Sequence, residues 1–348
     1  MVRIKKVVLE VTVWKKYHSV NIIQEIEKIF KIVKVSYAGV CGTDLHIIEG
    51  HFPCYANGPI TLGHEFSGIV TEVGIDVGNF KIGDRVSVDP NIGCEKCDFC
   101  HDGNPHFCKQ GGINTTIGIY KDGGWAEYVV CPESQVHKLK DSITLEQAAL
   151  CEPLSCLSHG LDLVSPIKIG KKILITGAGI IGNLWACALH LQGHRRVTVS
   201  EPNQARLNNL KKLNLGFDLI TPDQLKKNQS DNPEYLFDFA IDCSGYPPAI
   251  EHAISLLNKG GKLVIFGVAP PNKKISISPY EIFDKELKII GVKVNPYSYV
   301  NSIGMVEAMG DRYLNFDNLG IGLYPLKDYQ KAIEALKKGS IAKAIFKL

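Results

Sequence analysis

The run Gly177-Ala178-Gly179-Ile180-Ile181-Gly182 constrains this chain more than any other stretch. It follows Lys171 to Thr176, whose apolar end Ile173-Leu174-Ile175 reads as a buried strand. It precedes Asn183 to Leu191, which reads as a helix, and Glu201 closes a second strand pattern, Arg196 to Ser200. A GxGxxG spacing alone is weak, because glycines also gather in ordinary turns. Between a strand and a helix, with an acid about twenty residues on, it is the dinucleotide-binding fingerprint. Gly177 allows the tight turn, Gly179 lets the backbone approach a pyrophosphate, and Gly182 lets helix and strand pack closely. The helix start at Ile180 and Ile181 offers free N–H groups to the phosphates. A carboxylate at Glu201 accepts hydrogen bonds from ribose hydroxyls and repels a 2′-phosphate, so NAD is the expected cofactor. Arg195, Arg196 and Arg206 lie near enough in sequence to leave NADP open.

At 348 residues the chain is long for one core, so two domains are expected. A formal net charge of +3, with scattered Lys and Arg, argues against a nucleic-acid surface. No apolar stretch reaches membrane-spanning length, and Met1-Val2-Arg3-Ile4-Lys5-Lys6 lacks the apolar centre of a signal peptide. The expectation is a cytoplasmic protein with no membrane partner. In that compartment eleven cysteines point to metal ligands and buried thiols rather than disulfides.

Strand patterns fill the N-terminal part: Val7 to Val11, Ile29 to Val35 with its lysines on the wet face, Ile69 to Gly74, and a turn Gly83-Asp84 into another strand. They suggest a small β-barrel or sandwich. Next come Cys94, Cys97, Cys100 and Cys108, spaced C-x2-C-x2-C-x7-C, which match a closed four-thiolate zinc site. From about residue 156 strand and helix alternate, with strands at Lys172 to Thr176, Arg196 to Glu201, Leu219-Ile220, Phe237 to Asp242, Lys262 to Phe266 and Leu287 to Val292. That is the pattern of a doubly wound parallel sheet. Ser142 to Leu150 reads as a short helix, Asn228 to Pro233 as a loop, and Lys327 to Lys338 as an amphipathic helix before a last strand, Ala342 to Phe346.

Cys41, His64, Glu65 and Glu152 are scattered, and each taken singly has a plainer reading as a buried thiol, a core histidine or a surface acid. Context favours metal. His64-Glu65 sits between Gly63 and Gly68 directly before a strand, where an acid is expensive to bury. Glu152 precedes Pro153 at the junction between the two patterns, where a cleft between domains falls. Thiolate, imidazole and carboxylate together suit a zinc ion with an open coordination position.

These residues resemble the zinc-dependent medium-chain dehydrogenases of the alcohol dehydrogenase superfamily, in their polyol branch. The resemblance rests on Gly63-His64-Glu65 with Gly68, Gly74 and Val77, on Gly39-Val40-Cys41-Gly42-Thr43-Asp44, and on Gly83-Asp84-Arg85-Val86. The cysteine lobe, Glu152-Pro153-Leu154 and the glycine run complete it, in the family's order and spacing. It implies a GroES-like β-barrel catalytic domain over residues 1–155, with a structural-zinc lobe at about 90–110. It further implies a doubly wound Rossmann cofactor domain over 156–292 and a return of 293–348 to the catalytic domain. By the same resemblance Cys41, His64, Glu65 and Glu152 hold a catalytic zinc, Glu152 directly or through water, and the lobe holds a second zinc. Thr43 would take the substrate hydroxyl proton and pass it through the cofactor ribose towards His46. The implied protein is a homodimer or homotetramer acting on a small alcohol or polyol, with threonine-type, primary-alcohol and non-catalytic relatives as alternatives.

One departure bears on substrate. Where sorbitol dehydrogenases carry an Arg-Tyr pair, this chain has Val294-Asn295 before Pro296-Tyr297, a run more like the arabinitol and altritol enzymes. Asn295 either hydrogen-bonds a substrate hydroxyl or starts a turn, and Ile47 and Phe52 are candidates to line the pocket. His51 and Cys54 read as loop residues, and Cys131, Cys151, Cys156, Cys187 and Cys243 as buried thiols.

Overall fold

The computed structural model describes residues 30–50 and 59–348, so the expected strand Val7 to Val11 and residues His51, Phe52 and Cys54 lie outside the described residues. A mainly antiparallel sheet begins with β1 (Phe30–Val40), β2 (Phe66–Val73), β3 (Arg85–Val88), β4 (Tyr128–Pro132) and β5 (Val136–Lys138). A second sheet holds β6 (Ile173–Thr176), β7 (Val197–Ser200), β8 (Asp218–Ile220), β9 (Phe237–Asp242), β10 (Leu257–Ile265) and β11 (Lys288–Gly291). The chain then returns to the first sheet with β12 (Ile321–Pro325) and β13 (Lys343–Lys347), which pair in parallel.

The first sheet runs β12-β13-β1-β2-β3-β5, with β4 also paired to β1. The second runs β11-β10-β9-β6-β7-β8, and every neighbouring pair is parallel. All four residues of β6 are buried, as a central strand covered on both faces requires. The order reverses between β6 and β9, which opens a crevice beyond their C-terminal ends. Thr176 and Asp242 stand opposite each other there, and the Thr176 hydroxyl donates to Asp242 Oδ1 over 2.9 Å.

Residue 156 falls inside the helix Cys151–Val164, so the chain passes from one sheet towards the other on continuous helix. Leu154, Leu157 and Leu161 of that helix share a core with Ile173, Ile175 and Trp185. Each such leucine contributes about 1.5–3 kcal/mol on burial, so Glu152 is carried on a firmly seated element. The helical segment Tyr299–Leu314, kinked at Gly310, packs beside it: Ser298 Oγ donates to Ser155 O of that helix over 2.7 Å, while Tyr299 OH meets Ser87 Oγ of β3 at 2.7 Å. No described helix is long and apolar enough to cross a membrane.

Three expectations need correction. Lys31 is not on the wet face: it is fully buried, because strand alternation puts it on the side of Val33 and Val35. Its ammonium lies 2.9 Å from the Phe80 ring centre and 3.7 Å from Glu133 Oε1. Most of Asn228 to Pro233 is helical, within Pro222–Asp231, because Thr221 Oγ1 caps the helix by accepting from Gln224 N and Leu225 is buried. The helix expected over Ser142 to Leu150 is only Leu145–Ala148, started by a capping box between Thr144 and Gln147.

Candidate active site

The pairing of β1 with β2 assembles the first donor group. Ala38 stands opposite Phe66, and Gly39 N donates to Glu65 O over 2.7 Å, so residues just past β1 meet those just before β2. Cys41 N-caps the helix Gly42–Ile48, and its N–H donates to Asp44 Oδ2 over 2.8 Å. Cys41 Sγ, a His64 ring nitrogen and a Glu65 carboxylate oxygen thereby lie within 4.8 Å of one another. His64 and Glu65 are buried. Asp44, also buried, presents Oδ1 3.4 Å from His64 Nδ1. Burial works against a charged imidazole, but the Asp44 carboxylate and the Cys41 side chain outweigh it and raise the His64 pKa well above its ordinary value.

Two residues of this neighbourhood escape a reading of the sequence. Lys343, fully buried on β13, contacts Glu65 Oε2 through its ammonium and donates to Val40 O over 3.3 Å. Burial opposes its charge, but Glu65 and Cys41 hold its pKa above the usual lysine value. Its only sequence signal is a lone lysine before the apolar run Ala344-Ile345-Phe346. Asp44 lies in the quoted motif, yet only the fold shows it turned to His64. Gly39 acquires a reason as well: a Cβ there would run into the Glu65 carboxylate and the Lys343 side chain.

Glu152 is buried in the first turn of its helix and stands outside the tight trio. Burial is the main cause that pushes its pKa up to about 7; Glu65 adds to this, and His64 and Lys343 oppose it. One turn later the Cys156 thiol donates to Glu152 Oε1 over 3.6 Å. Thr43 and His46 lie about one turn apart on the helix Gly42–Ile48, both half-buried. Ile47 packs into the core of the first sheet. Asn295 is buried, and its amide serves protein partners, donating to Asp89 Oδ1 over 3.0 Å and accepting from Asn91 Nδ2 over 2.7 Å.

Cys94, Cys97, Cys100 and Cys108 form the second donor group, their sulfurs within 4.8 Å of one another. Zn–S bonds of about 2.3 Å place the sulfurs of a tetrahedral site about 3.8 Å apart, so the four need little movement to close on a metal. Cys94 N and Gly111 N donate to Cys108 Sγ at 3.4 and 3.2 Å. Burial raises this thiol's pKa, but such N–H groups outweigh it and bring it down to about 6, which favours the thiolate a metal needs.

The glycine run lies where β6 meets the helix Ile180–Leu191. A Cβ on Gly182 would collide with Gly177 O, whereas Gly179 faces open space. Room is thus kept where a pyrophosphate would meet the N–H groups of Ile180 and Ile181. Glu201 is buried at the end of β7, with Oε2 accepting from Ala178 N at 2.8 Å and Oε1 from Asn203 N at 2.9 Å. Arg206 Nη1 is 3.8 Å from Glu201 Oε2, whereas Arg195 donates to the carbonyls of His190 and His194 and Arg196 to that of Gly170.

Both donor sets fit zinc: soft thiolate, imidazole and carboxylate in one, four thiolates in the other. Comparison with known proteins agrees. Residues 31–141 match the alcohol dehydrogenase GroES-like domain, and residues 181–308 match the zinc-binding dehydrogenase domain. D-arabinitol dehydrogenase 1 of Uromyces fabae is 33% identical over 88% of this chain and 86% of its own. Sorbitol dehydrogenase of Halalkalibacterium halodurans is 32% identical over 90% of each. The crystal structure of a zinc-binding dehydrogenase from Sinorhizobium meliloti 1021, bound to NADP, superposes with a TM-score of 0.80 at 31% identity, covering 92% of each chain.

Proposed function

Since the chain belongs to the zinc-binding alcohol dehydrogenase family, we propose that it oxidises the CH–OH group of a polyol, or of a related secondary alcohol, to the ketone with a nicotinamide dinucleotide. The observation that carries this reading is the convergence of Cys41, His64 and Glu65 within 4.8 Å in a chain that also forms the glycine-run crevice. The polyol relatives support the substrate class.

In this reading Cys41, His64 and Glu65 hold the catalytic zinc and the four cysteines of the lobe hold a structural one. The catalytic zinc, when bound, supplies a Lewis acid that lowers the pKa of an alcohol; the dinucleotide supplies the hydride acceptor. The rest of the work falls to side chains. Asp44 fixes the orientation of the His64 ring from behind. Lys343 balances the Glu65 carboxylate in the metal-free protein, where it would otherwise be an uncompensated charge at 2% exposure. Glu152 completes the donor set, directly or through water. Thr43 Oγ1 would take the hydroxyl proton, and His46, about one turn along the same helix, would carry it towards solvent. Ile180, Ile181 and the glycines seat the pyrophosphate. The protein acts in the cytoplasm as a homodimer or homotetramer.

The test is formation of reduced nicotinamide by the purified protein on four- to six-carbon polyols, simple secondary alcohols and L-threonine, with NAD and with NADP. Turnover on a polyol, abolished by a zinc chelator and restored by zinc, is expected. Silence across the panel in a zinc-replete preparation would overturn the reading.

A further inference from the structure

Glu152 approaches the catalytic donors from another element, and a neighbour on that element holds its carboxylate. Cys41, His64 and Glu65 meet where β1 ends and β2 begins, within 4.8 Å of one another, and no Glu152 oxygen joins that group. Donors on one tetrahedral zinc lie about 3.3–3.8 Å apart, so the trio needs little movement to share a metal and Glu152 needs more. Two features oppose that movement. The helix Cys151–Val164, which carries Glu152 in its first turn, is seated by Leu154 and Leu157, both fully buried. One turn along the same helix the Cys156 thiol donates to Glu152 Oε1 over 3.6 Å. An ionised carboxylate can only accept, so the thiol is the donor of the pair. Ser155 does not compete for this role, because its hydroxyl donates to the main-chain Glu152 O over 2.6 Å. Cys156 also lies within electrostatic reach of Cys41 and Glu65, so the tether is anchored beside the donor trio.

The consequence follows from the charge at the metal. Cys41 and Glu65 bring two negative charges to a divalent cation. A third anionic ligand would take the coordination position that the alcohol needs and would weaken the pull on its O–H bond. A carboxylate held back by one of its oxygens does neither. We infer that Cys156 is a positioning residue: its thiol tethers the Glu152 carboxylate, so that Glu152 serves the catalytic zinc through water and leaves one coordination position to the alcohol. The inference rests on the zinc reading of the preceding section.

Cobalt(II) in place of zinc tests this without turnover, because its visible absorption responds to the number and type of its ligands. Cys41→Ser, which leaves the lobe intact, supplies the lobe's share of the spectrum for subtraction. Cys156→Val keeps the bulk and removes the donor. Its cobalt bands are expected to shift as the freed carboxylate binds directly, and the pH dependence of kcat/KM in the zinc protein should move up by about one unit. Cys156→Ser keeps a donor and should keep the wild-type bands and profile. Glu152→Gln should leave the wild-type bands nearly in place, yet reverse the shift when added to Cys156→Val. The inference is overturned if Cys156→Val leaves the bands unmoved, or if Cys156→Ser moves them as far as Cys156→Val does. It is also overturned if Glu152→Gln alone moves them that far, an outcome that needs no folded variant at position 156. A Cys41→Ser protein that binds as much cobalt as wild type would remove the zinc reading itself, a failure distinct from the other three.

Discussion

Lys343 shows how a single residue sets the electrostatics of a buried site. Its ammonium and the Glu65 carboxylate are 1% and 2% exposed, and Gly39 leaves the space in which they meet. Removing one partner of such a pair leaves the other charge unsolvated, at a cost of about 3–5 kcal/mol. Lys343→Met is therefore expected to destabilise the metal-free protein by about that amount in urea titrations. Saturating zinc, itself a cation beside Glu65, should shrink the deficit. An unchanged midpoint in the metal-free protein would show that Glu65 does not depend on Lys343. The candidate donor types were legible from Cys41 and from His64-Glu65, whose neighbours in sequence supplied the context. Lys343 was not, because it lies nearly three hundred residues from Glu65 and reaches it only through the pairing of β1 with β13.

The elements around the cysteine lobe are joined by a polar network rather than by apolar packing alone. Asp89, just after β3, accepts at Oδ1 from Asn91 N and Asn295 Nδ2, both at 3.0 Å; Asn91 Oδ1 in turn accepts from Thr116 Oγ1 at 2.7 Å. Burial pushes the Asp89 pKa up to about 7, and these hydrogen bonds reduce the shift without cancelling it. An acid whose folded pKa is raised keeps its proton in the folded state after the unfolded chain has lost it. The associated stability is complete below an unfolded value of about 3.9 and is lost as pH rises through about 7. Asp89→Asn keeps the acceptor and cannot ionise. Melting temperatures taken from pH 4 to pH 8 should show the variant gaining on wild type as pH rises, and a constant difference would refute the shift. Asn295 belongs to this network, a role that a reading of the sequence as substrate contact or turn start did not include. Its amide meets Asp89 and Asn91, which lie about two hundred residues earlier in the chain.

For the whole molecule, β11 is an outer strand of the parallel sheet, and β10 is its pairing partner among the described residues. Ile289 on it and Tyr280 and Phe283 on the helix before it are exposed. An unpaired, partly apolar strand edge is a template for a second copy, and a two-fold axis there would make the contact self-complementary. Sedimentation velocity is expected to show a dimer or tetramer, with Ile289→Lys shifting it towards smaller species. A wild-type monomer at micromolar concentration, or an unmoved Ile289→Lys variant, would exclude this edge as the contact.

The sequence by itself determined the second sheet and the spacing of the four lobe cysteines, whereas Cys41, His64 and Glu65 meet only through the pairing of β1 with β2. Period and glycine spacing are local properties, and β9 begins and ends where its apolar pattern does, at Phe237 and Asp242. Cysteines a few residues apart also carry their geometry with them. Tertiary structure decided what depends on through-space partners. It buried Lys31 against Phe80 and Glu133, because which face of a strand is wet depends on what covers it. It turned Lys343 and Asp44 towards the donor trio. It also gave the Glu201 carboxylate to two backbone N–H groups, one of them more than twenty residues earlier in the chain, because a buried acceptor pairs with whichever donors the packed chain brings to it.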